Sequence, residues 1–360
     1  MTEQVFNHQR RKYTILQADG LYPDDLVEQR TFAPRDAEDY EVHYVQASLI
    51  PPGAASAKPW STIDKELRDR VDGIMLLKAY FTAADLELFP RLKVIVRMGV
   101  GYDRLDRDAL GKRGVIVCNI PDYGICEIAD HAIALALSLR RGILLHDAKQ
   151  RTEPPAPYVF VDSPLVSRVR GRTFGVLGLG RIGTATAMRA KAFGWNVLFY
   201  DPYVSNGTDQ ALGVERVSDV RELFRRSTTL SLHCPHTRET RGMVGYDLLS
   251  LLPRGAILVN TARGEVVDLD AVERCLREGV LSGVGLDVLP IEPIPADSVP
   301  SLVQAYRRRE SWLLGRMVLT CHSAYYTPES FADIRVKAAQ TMRDNLIDGR
   351  PSNVILPEME

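Results

Sequence analysis

The feature that most constrains this 360-residue chain is a glycine-rich turn between a strand and a helix. The turn reads Gly178-Leu179-Gly180-Arg181-Ile182-Gly183. The apolar segment before it predicts a β-strand, residues 182–193 predict a helix, and residues 196–200 predict a second strand that ends at Asp201. A strand, a glycine turn, a helix, a second strand and an acid form the fingerprint of a dinucleotide-binding βαβ unit.

Each part of this fingerprint has a physical task. Gly178 permits the tight turn, Gly180 lets the backbone approach a pyrophosphate, and Gly183 lets the helix pack against the strand. The helix N-terminus supplies free N–H groups and a partial positive charge for the phosphates. Asp201 can accept hydrogen bonds from a ribose 2′-hydroxyl and would repel a 2′-phosphate, so the sequence predicts NAD as the cofactor rather than NADP. The alternative is a glycine turn of a doubly wound sheet with no ligand.

The overall composition excludes several classes of partner. The formal net charge is -1, so no basic field attracts nucleic acid. The 5 cysteines include no CxxC pair and are odd in number, which predicts reduced thiols and no metal site. The first twelve residues are polar, and no apolar run is long enough to cross a membrane. We therefore expect a cytoplasmic protein without a membrane partner.

Strand and helix patterns alternate along most of the chain, which predicts parallel sheets covered on both faces. Because the fingerprint starts near residue 175, the cofactor domain is central and divides the other domain in two. We predict an NAD-binding Rossmann domain over residues 120–322. Residues 1–119 and 323–360 then form a second, substrate-binding domain of the same α/β class.

Three clusters in the second half of the chain carry side chains suited to chemistry. Arg263 follows a predicted strand, Asp287 and Glu292 follow another, and His322 follows a third. Considered one at a time, these residues are readily interpreted as a surface arginine, two solvated acids and a structural histidine. Reduction of a 2-keto acid needs a cation for the carboxylate, a proton donor for the carbonyl oxygen, and a group that keeps the donor protonated. Arg263, His322 and Glu292 suit these three roles, since a carboxylate stabilises a neighbouring imidazolium.

These motifs resemble those of the D-isomer-specific 2-hydroxyacid dehydrogenase family, from about residue 73 to residue 328. The resemblance lies in five ordered motifs: residues 178–183 with Asp201, residues 232–237 through Thr240, residues 260–264, Asp287 with Glu292 and Pro293, and residues 322–324. It implies a flavodoxin-like substrate domain, an NAD domain and a cleft between them. Residues 94–103, 197–202 and 322–326 are most similar to the C-terminal-binding-protein branch of the family.

The resemblance also implies roles for individual residues. The implied catalytic residues are Arg263, Glu292 and His322. The residues implied to meet the substrate, a small 2-keto or 2-hydroxy acid, are Arg97, Val100, Gly101, Arg263 and Tyr325. The implied NAD-site residues are Val100, Gly178, Leu179, Gly180, Arg181, Ile182, Gly183, Asp201, His233, Cys234, Pro235, Thr240, Thr261, Ala262, Arg263, Asp287, His322, Ser323 and Ala324. The long helix after Glu127 is implied to build a homodimer.

Two departures from that branch leave alternatives open. Tyr325 stands where the branch carries a tryptophan, so a methylthio-type keto acid is a less secure substrate. Residues 294–316 form an extra segment near the expected cleft, either a solvated charged helix or a substrate lid or partner contact. The rival functions are an NAD(H)-sensing corepressor-type scaffold and oxidation of a small anion such as phosphite.

Overall fold

The computed structural model describes residues 10–19, 22–35, 38–51, 54 and 56–356. Most of the polar N-terminal segment, residues 1–9, therefore lies outside the described residues. The chain forms two compact units, one of residues 1–123 with 327–360 and the other of residues 124–326. The predicted domain boundaries, after residues 119 and 322, lie a few residues earlier.

The described residues contain twelve strands and thirteen α-helices. The strands are β1 Arg11–Gln17, β2 Tyr40–Gln46, β3 Gly73–Leu76, β4 Val94–Arg97, β5 Ile116–Cys118, β6 Thr173–Leu177, β7 Asn196–Tyr200, β8 Glu215–Arg216, β9 Thr229–Leu232, β10 Ala256–Asn260, β11 Leu281–Leu286 and β12 Met317–Leu319. The helices are α1 Leu26–Phe32, α2 Lys65–Arg68, α3 Ala83–Leu86, α4 Arg107–Lys112, α5 Ile125–Arg140, α6 Ile143–Gln150, α7 Arg181–Ala192, α8 Thr208–Leu212, α9 Val220–Arg226, α10 Tyr246–Leu249, α11 Leu269–Glu278, α12 Ser301–Arg307 and α13 Pro328–Met342.

The first unit is built on a parallel five-stranded sheet in the order β2-β1-β3-β4-β5. Its central strands β3 and β4 are buried along their whole length, as expected for a parallel sheet covered on both faces. Helix α13 returns to this unit from the far end of the chain and is joined to α1 by a buried ion pair. Arg335 Nη2 lies 2.6 Å from Glu28 Oε2 there.

The second unit is built on a parallel seven-stranded sheet in the order β12-β11-β10-β9-β6-β7-β8. The strand order reverses at β6, with β7 on one side and β9 on the other. Ligands of open α/β sheets bind at the carboxyl ends of the strands beside such a reversal. The predicted fold class, two doubly wound parallel-sheet units, is confirmed by the two sheets.

The extra segment, residues 294–316, is packed into the second unit. Helix α12 buries Leu302, Val303 and Ala305, and Leu313 is buried after it, while residues 307–309 are exposed. The segment therefore extends the apolar core on one face and carries an arginine-rich surface on the other. The sequence patterns had indicated only the charged face.

Among the residues that the structure describes, no helix combines the length and the apolar character needed to cross a membrane. All five cysteines are free thiols.

Candidate active site

A histidine–glutamate pair lies at the carboxyl end of the second sheet. His322 follows β12, and its Nδ1 atom lies 2.5 Å from Glu292 Oε2. A carboxylate can only accept a hydrogen bond, so Nδ1 carries a proton and Nε2 is the ring nitrogen available to a ligand. Nε2 therefore donates when the ring is charged and accepts when it is neutral. The predicted partnership of His322 and Glu292 is present in the structure.

The glutamate is itself held by the backbone of its own loop. Glu292 Oε1 accepts a hydrogen bond from the N–H of Leu289 at 2.7 Å. The backbone of Leu289 also lies against Gly264, where an added Cβ would come within 2.0 Å of the Leu289 carbonyl carbon. Only glycine allows these two loops to approach so closely. Gly264 thereby brings the segment that carries Arg263 beside the segment that carries Glu292.

The loop of Arg263 is fixed by a buried amide at the end of β10. Asn260 donates from Nδ2 to the carbonyl oxygen of Arg263 at 2.9 Å and accepts from the N–H of Ala262 at 3.0 Å. The guanidinium of Arg263 donates to the carbonyl oxygen of Ala262 at 2.8 Å. Asn260 thus closes a tight turn that presents the arginine at the sheet edge.

Asp287 holds the backbone that carries the histidine. Its Oδ1 accepts from the N–H of Ser323 and its Oδ2 from the N–H of Ala324, both at 2.9 Å. Its carbonyl oxygen accepts from the N–H of His322 at 2.8 Å. His322 has a φ of 53°, in the left-handed region that a histidine seldom adopts, so these bonds stabilise an unfavourable backbone conformation.

An aromatic side chain flanks the imidazole. The ring of Tyr325 lies edge-on to the ring of His322, with 6.3 Å between the ring centroids. Tyr325 therefore limits the space beside the histidine, and its place in the substrate site stays a prediction.

The glycine turn after β6 has the shape of a phosphate-binding loop. Gly178 has a φ of 90°, and an added Cβ there would lie 2.7 Å from the backbone nitrogen of Cys234. An added Cβ at Gly183 would lie 2.0 Å from the carbonyl oxygen of Gly178. Gly180 differs, because an added Cβ would meet no described protein atom within 4 Å. The space above Gly180, at the N-terminus of the twelve-residue helix α7, fits a pyrophosphate.

This difference predicts that Gly180→Val separates cofactor binding from folding. The branched side chain would enter open space in the protein alone but would collide with a bound pyrophosphate. We expect NADH affinity to fall at least about 100-fold, since close backbone contact with the phosphates is lost. The melting temperature of the apo protein should stay within about 2 °C of the unchanged protein. NADH fluorescence titration and thermal unfolding measure the two effects.

Gly207→Val is the control, because Gly207 precedes a different helix and also has open space around it. Its φ of 88° makes this variant strained, so it should lower stability while leaving NADH affinity unchanged. Equal NADH affinity of the Gly180 variant and the unchanged protein would contradict the assignment of this loop.

Asp201 lies at the end of β7 beside the glycine turn. Its carboxylate accepts from the N–H of Leu179 at 2.7 Å and from the N–H of Tyr203 at 2.9 Å. The Asp201 carboxylate is therefore fixed next to the turn, as is required of a side chain that binds a ribose hydroxyl.

Other predicted cofactor residues lie in the loops after β9 and β10. The side chain of His233 is bonded from Nε2 to Ser231 Oγ at 2.8 Å, and burial lowers the pKa of His233 to about 3. Burial raises the pKa of the Cys234 thiol to about 12. Both side chains are therefore neutral at neutral pH. The hydroxyl of Thr240 donates to the carbonyl oxygen of Pro235 at 2.6 Å and closes the first loop.

Three predicted substrate residues belong to the first unit. The guanidinium of Arg97, at the end of β4, lies against Gly99, where an added Cβ would come within 1.4 Å of Nη1. The amide N–H groups of Val100 and Gly101 have no hydrogen-bond acceptor among the described residues. Asn119 donates to the carbonyl oxygen of Val100 at 2.7 Å and fixes this turn. The turn presents two amide donors suited to an anion.

Sequence reasoning had not assigned site roles to Asn260, Thr320 or His131. Thr320 donates to Asp287 at 2.5 Å, and His131 lies 3.1 Å from Thr320. Asn260 is a polar residue at the end of an otherwise apolar strand, which is a signal that could have been read. The contact of His131, 189 residues away from Thr320, had no such signal.

The carboxyl edge of the seven-stranded sheet thus carries the glycine turn, the arginine loop and the histidine–glutamate pair. Residues 133–324 match the family described as "D-isomer specific 2-hydroxyacid dehydrogenase, NAD binding domain". The chain belongs to this family, and it contains the family's NAD-binding domain.

Two relatives share much of the sequence. C-terminal-binding protein 1 of Caenorhabditis elegans is 35% identical over 291 residues, which is 80% of this chain but 38% of that protein. A glyoxylate reductase of Korarchaeum cryptofilum is 37% identical over 274 residues, 76% of this chain and 78% of that protein. A crystal structure of D-lactate dehydrogenase from Aquifex aeolicus, complexed with NAD and lactic acid, has 27% identity and a TM-score of 0.72, and the match covers 96% of this chain and 100% of that chain.

Proposed function

We propose that the protein interconverts a 2-hydroxy acid and a 2-keto acid with NAD as the cofactor. The observation that carries this proposal is the pairing of His322 with Glu292 at 2.5 Å beside the loop of Arg263. The relatives named glyoxylate reductase and D-lactate dehydrogenase support the same type of reaction. The first unit is the proposed substrate domain and the second the proposed NAD domain.

In this proposal each residue has one task. Arg263 pairs with the substrate carboxylate, and the amide groups of Val100 and Gly101, in the first unit, are proposed donors to an anion. His322 Nε2 gives its proton to the carbonyl oxygen during reduction and takes it back during oxidation. Glu292 stabilises the imidazolium and fixes Nδ1–H. The bound cofactor would supply the hydride for reduction as NADH and would take it up during oxidation as NAD⁺.

The proposed choice of NAD over NADP rests on Asp201. Its carboxylate is held beside the glycine turn by two backbone N–H groups. A fixed negative charge there favours a ribose 2′-hydroxyl and disfavours a 2′-phosphate.

The experiment is oxidation of NADH by the purified protein with a panel of 2-keto acids. The panel contains glyoxylate, pyruvate, hydroxypyruvate, phenylpyruvate and 4-methylthio-2-oxobutyrate, and NADPH replaces NADH in a parallel series. Turnover of at least one acid, with NADH preferred, supports the proposal. Tight NADH binding without turnover of any of these acids would contradict it for this panel.

A second candidate function is an NAD(H)-sensing dimeric scaffold with weak dehydrogenase activity. The observation that favours it is the 35% identity to C-terminal-binding protein 1 over 80% of this chain. A scaffold would bind NADH tightly, turn over slowly, and capture a peptide partner only when NADH is present. Fast turnover of one acid in the panel would argue against this candidate.

We also propose a homodimer formed through the second unit. The apolar residues of α5 are largely buried within the unit, whereas exposed apolar residues follow directly after that helix. Tyr158 is 99% exposed and Phe160 is 85% exposed, and Ile143 and Leu144 of α6 are also exposed. Apolar surface of this extent favours burial against a second copy.

This proposal predicts that Tyr158→Ser combined with Phe160→Ser weakens the dimer at least about tenfold, because each aromatic side chain contributes apolar area to the contact. Sedimentation velocity over a range of concentrations measures the change. Phe193→Ser is the control, since Phe193 is also exposed but follows α7 and lies outside residues 143–160. A monomer in the unchanged protein at all concentrations would contradict the proposed dimer.

Five free cysteines also support the proposal that the protein works in a reducing compartment such as the cytoplasm.

A further inference from the structure

His131, a residue of helix α5, contacts the catalytic loop. The residue lies on α5, and its Nε2 atom is 3.1 Å from Thr320 Oγ1. Thr320 comes directly after β12, two residues before His322. The side chain of His131 is 25% exposed, so it reaches the loop from a partly solvated position.

The direction of each hydrogen bond follows from the groups involved. Thr320 has one hydroxyl proton, and its oxygen lies 2.5 Å from Asp287 Oδ1. Because a carboxylate can only accept, the hydroxyl proton of Thr320 points to Asp287 Oδ1, which also accepts from the N–H of Ser323. The hydroxyl oxygen must then accept from His131. His131 therefore carries its proton on Nε2, the opposite ring nitrogen from the protonated Nδ1 of His322.

This chain of bonds ends at the backbone of the proposed proton donor. Asp287 is 1% exposed at its side chain and accepts from Thr320, Ser323 and Ala324. A buried carboxylate needs all of its donors, because an unfilled acceptor would be costly. His131 Nε2 also lies 3.8 Å from Asp287 Oδ1.

We propose that His131 and Thr320 are positioning residues of the catalytic loop. His131 orients the Thr320 hydroxyl, Thr320 fixes the Asp287 carboxylate, and Asp287 holds residues 322–324 so that His322 Nε2 faces the substrate. This inference rests on the proposed function for its kinetic consequence, whereas the bonding pattern itself is independent of turnover.

The kinetic test uses two pairs of variants, one that removes the polar groups at both positions and one that retains them. His131→Leu and Thr320→Val remove the polar groups at nearly constant volume, whereas His131→Gln retains an N–H near the position of Nε2 and Thr320→Ser retains the hydroxyl. We expect the first pair to lower kcat on the order of 10- to 100-fold, because a displacement of about 1 Å at the reacting atoms has an effect of this size. We expect the second pair to recover most of that loss.

The double variant His131→Leu with Thr320→Val distinguishes a chain of contacts from two separate effects. If the residues act in series, the double variant should be no slower than the slower single variant. If the loss of kcat in the double variant equals the product of the losses in the two single variants, the proposed series is overturned. A kcat of His131→Leu within about twofold of the unchanged protein would overturn the role of His131.

An NMR experiment on the apo protein tests the inference without any turnover. Selective ¹⁵N labelling of the 7 histidines reports the protonated nitrogen of each ring. We expect an Nε2–H signal for His131, assigned by its loss in His131→Gln, and a shifted His322 signal in Thr320→Val. An Nδ1–H tautomer of His131, or an unchanged His322 signal, would overturn the inference. An inactive protein with the expected signals would instead contradict only the proposed function.

Discussion

His322→Asn should lower kcat/KM for the preferred keto acid by about 10²- to 10⁴-fold, the range that a positioned general acid contributes. Asparagine is chosen because His322 has a φ of 53°, and asparagine tolerates that region better than most residues. The backbone held by Asp287 should therefore keep its conformation, while the proton donor is lost. Steady-state kinetics and NADH titration measure activity and cofactor binding separately.

The control for this variant is His43→Asn, which removes an exposed imidazole in the first unit. It should leave kcat/KM within about twofold of the unchanged protein. The acidic and basic limbs of the pH profile add a second readout, because the limb that belongs to the imidazole should disappear in His322→Asn. A folded His322→Asn variant with nearly unchanged turnover would contradict the proton-donor role.

Arg263→Ala should have the second largest effect. Loss of one partner of a buried, hydrogen-bonded charge pair costs about 2–5 kcal/mol, which is roughly 30-fold to several-thousand-fold in kcat/KM. Arg263→Lys should recover only part of this loss, because an ammonium group retains the charge but not the planar fork that matches a carboxylate. Added guanidinium should partly restore the activity of Arg263→Ala.

A comparison of substrates tests the same assignment more sharply. The unchanged enzyme should prefer a 2-keto acid over the matching ketone or aldehyde without the carboxylate, and Arg263→Ala should lose most of that preference. Arg254→Ala, an exposed arginine of the same unit, is the control and should retain the preference. An unchanged preference in Arg263→Ala would exclude Arg263 as the carboxylate anchor.

Local sequence patterns were sufficient for the cofactor fold. The glycine turn, its flanking strands and Asp201 are close in sequence. Their conformations require particular residue types at particular positions, and few unrelated sequences have them. Gly178 and Gly183 occupy positions where a side chain would collide with backbone atoms, so the fingerprint reports a steric requirement directly. The predicted second strand, residues 196–200, matches β7.

The candidate site was predicted as a set of residues but not as an arrangement. Arg263, Glu292 and His322 each follow a strand, and parallel strands bring their carboxyl ends to one edge, so their proximity could be expected. The close contact between Gly264 and the backbone of Leu289 could not be expected, since it depends on how two turns pack against each other. Asp287 was predicted as a cofactor residue, and the structure adds the backbone N–H groups that its carboxylate accepts.

The sequence by itself determined the fold class and the cofactor loop, because these depend on local spacing and on steric limits at glycine. The three proposed catalytic residues stay a prediction from the sequence. Only the tertiary structure decided the bond from His131 to Thr320, the ion pair of Arg335 with Glu28, and the burial of α12 in the core. Those contacts join residues far apart in the chain. Their geometry depends on the packing of whole elements, which a local pattern does not encode.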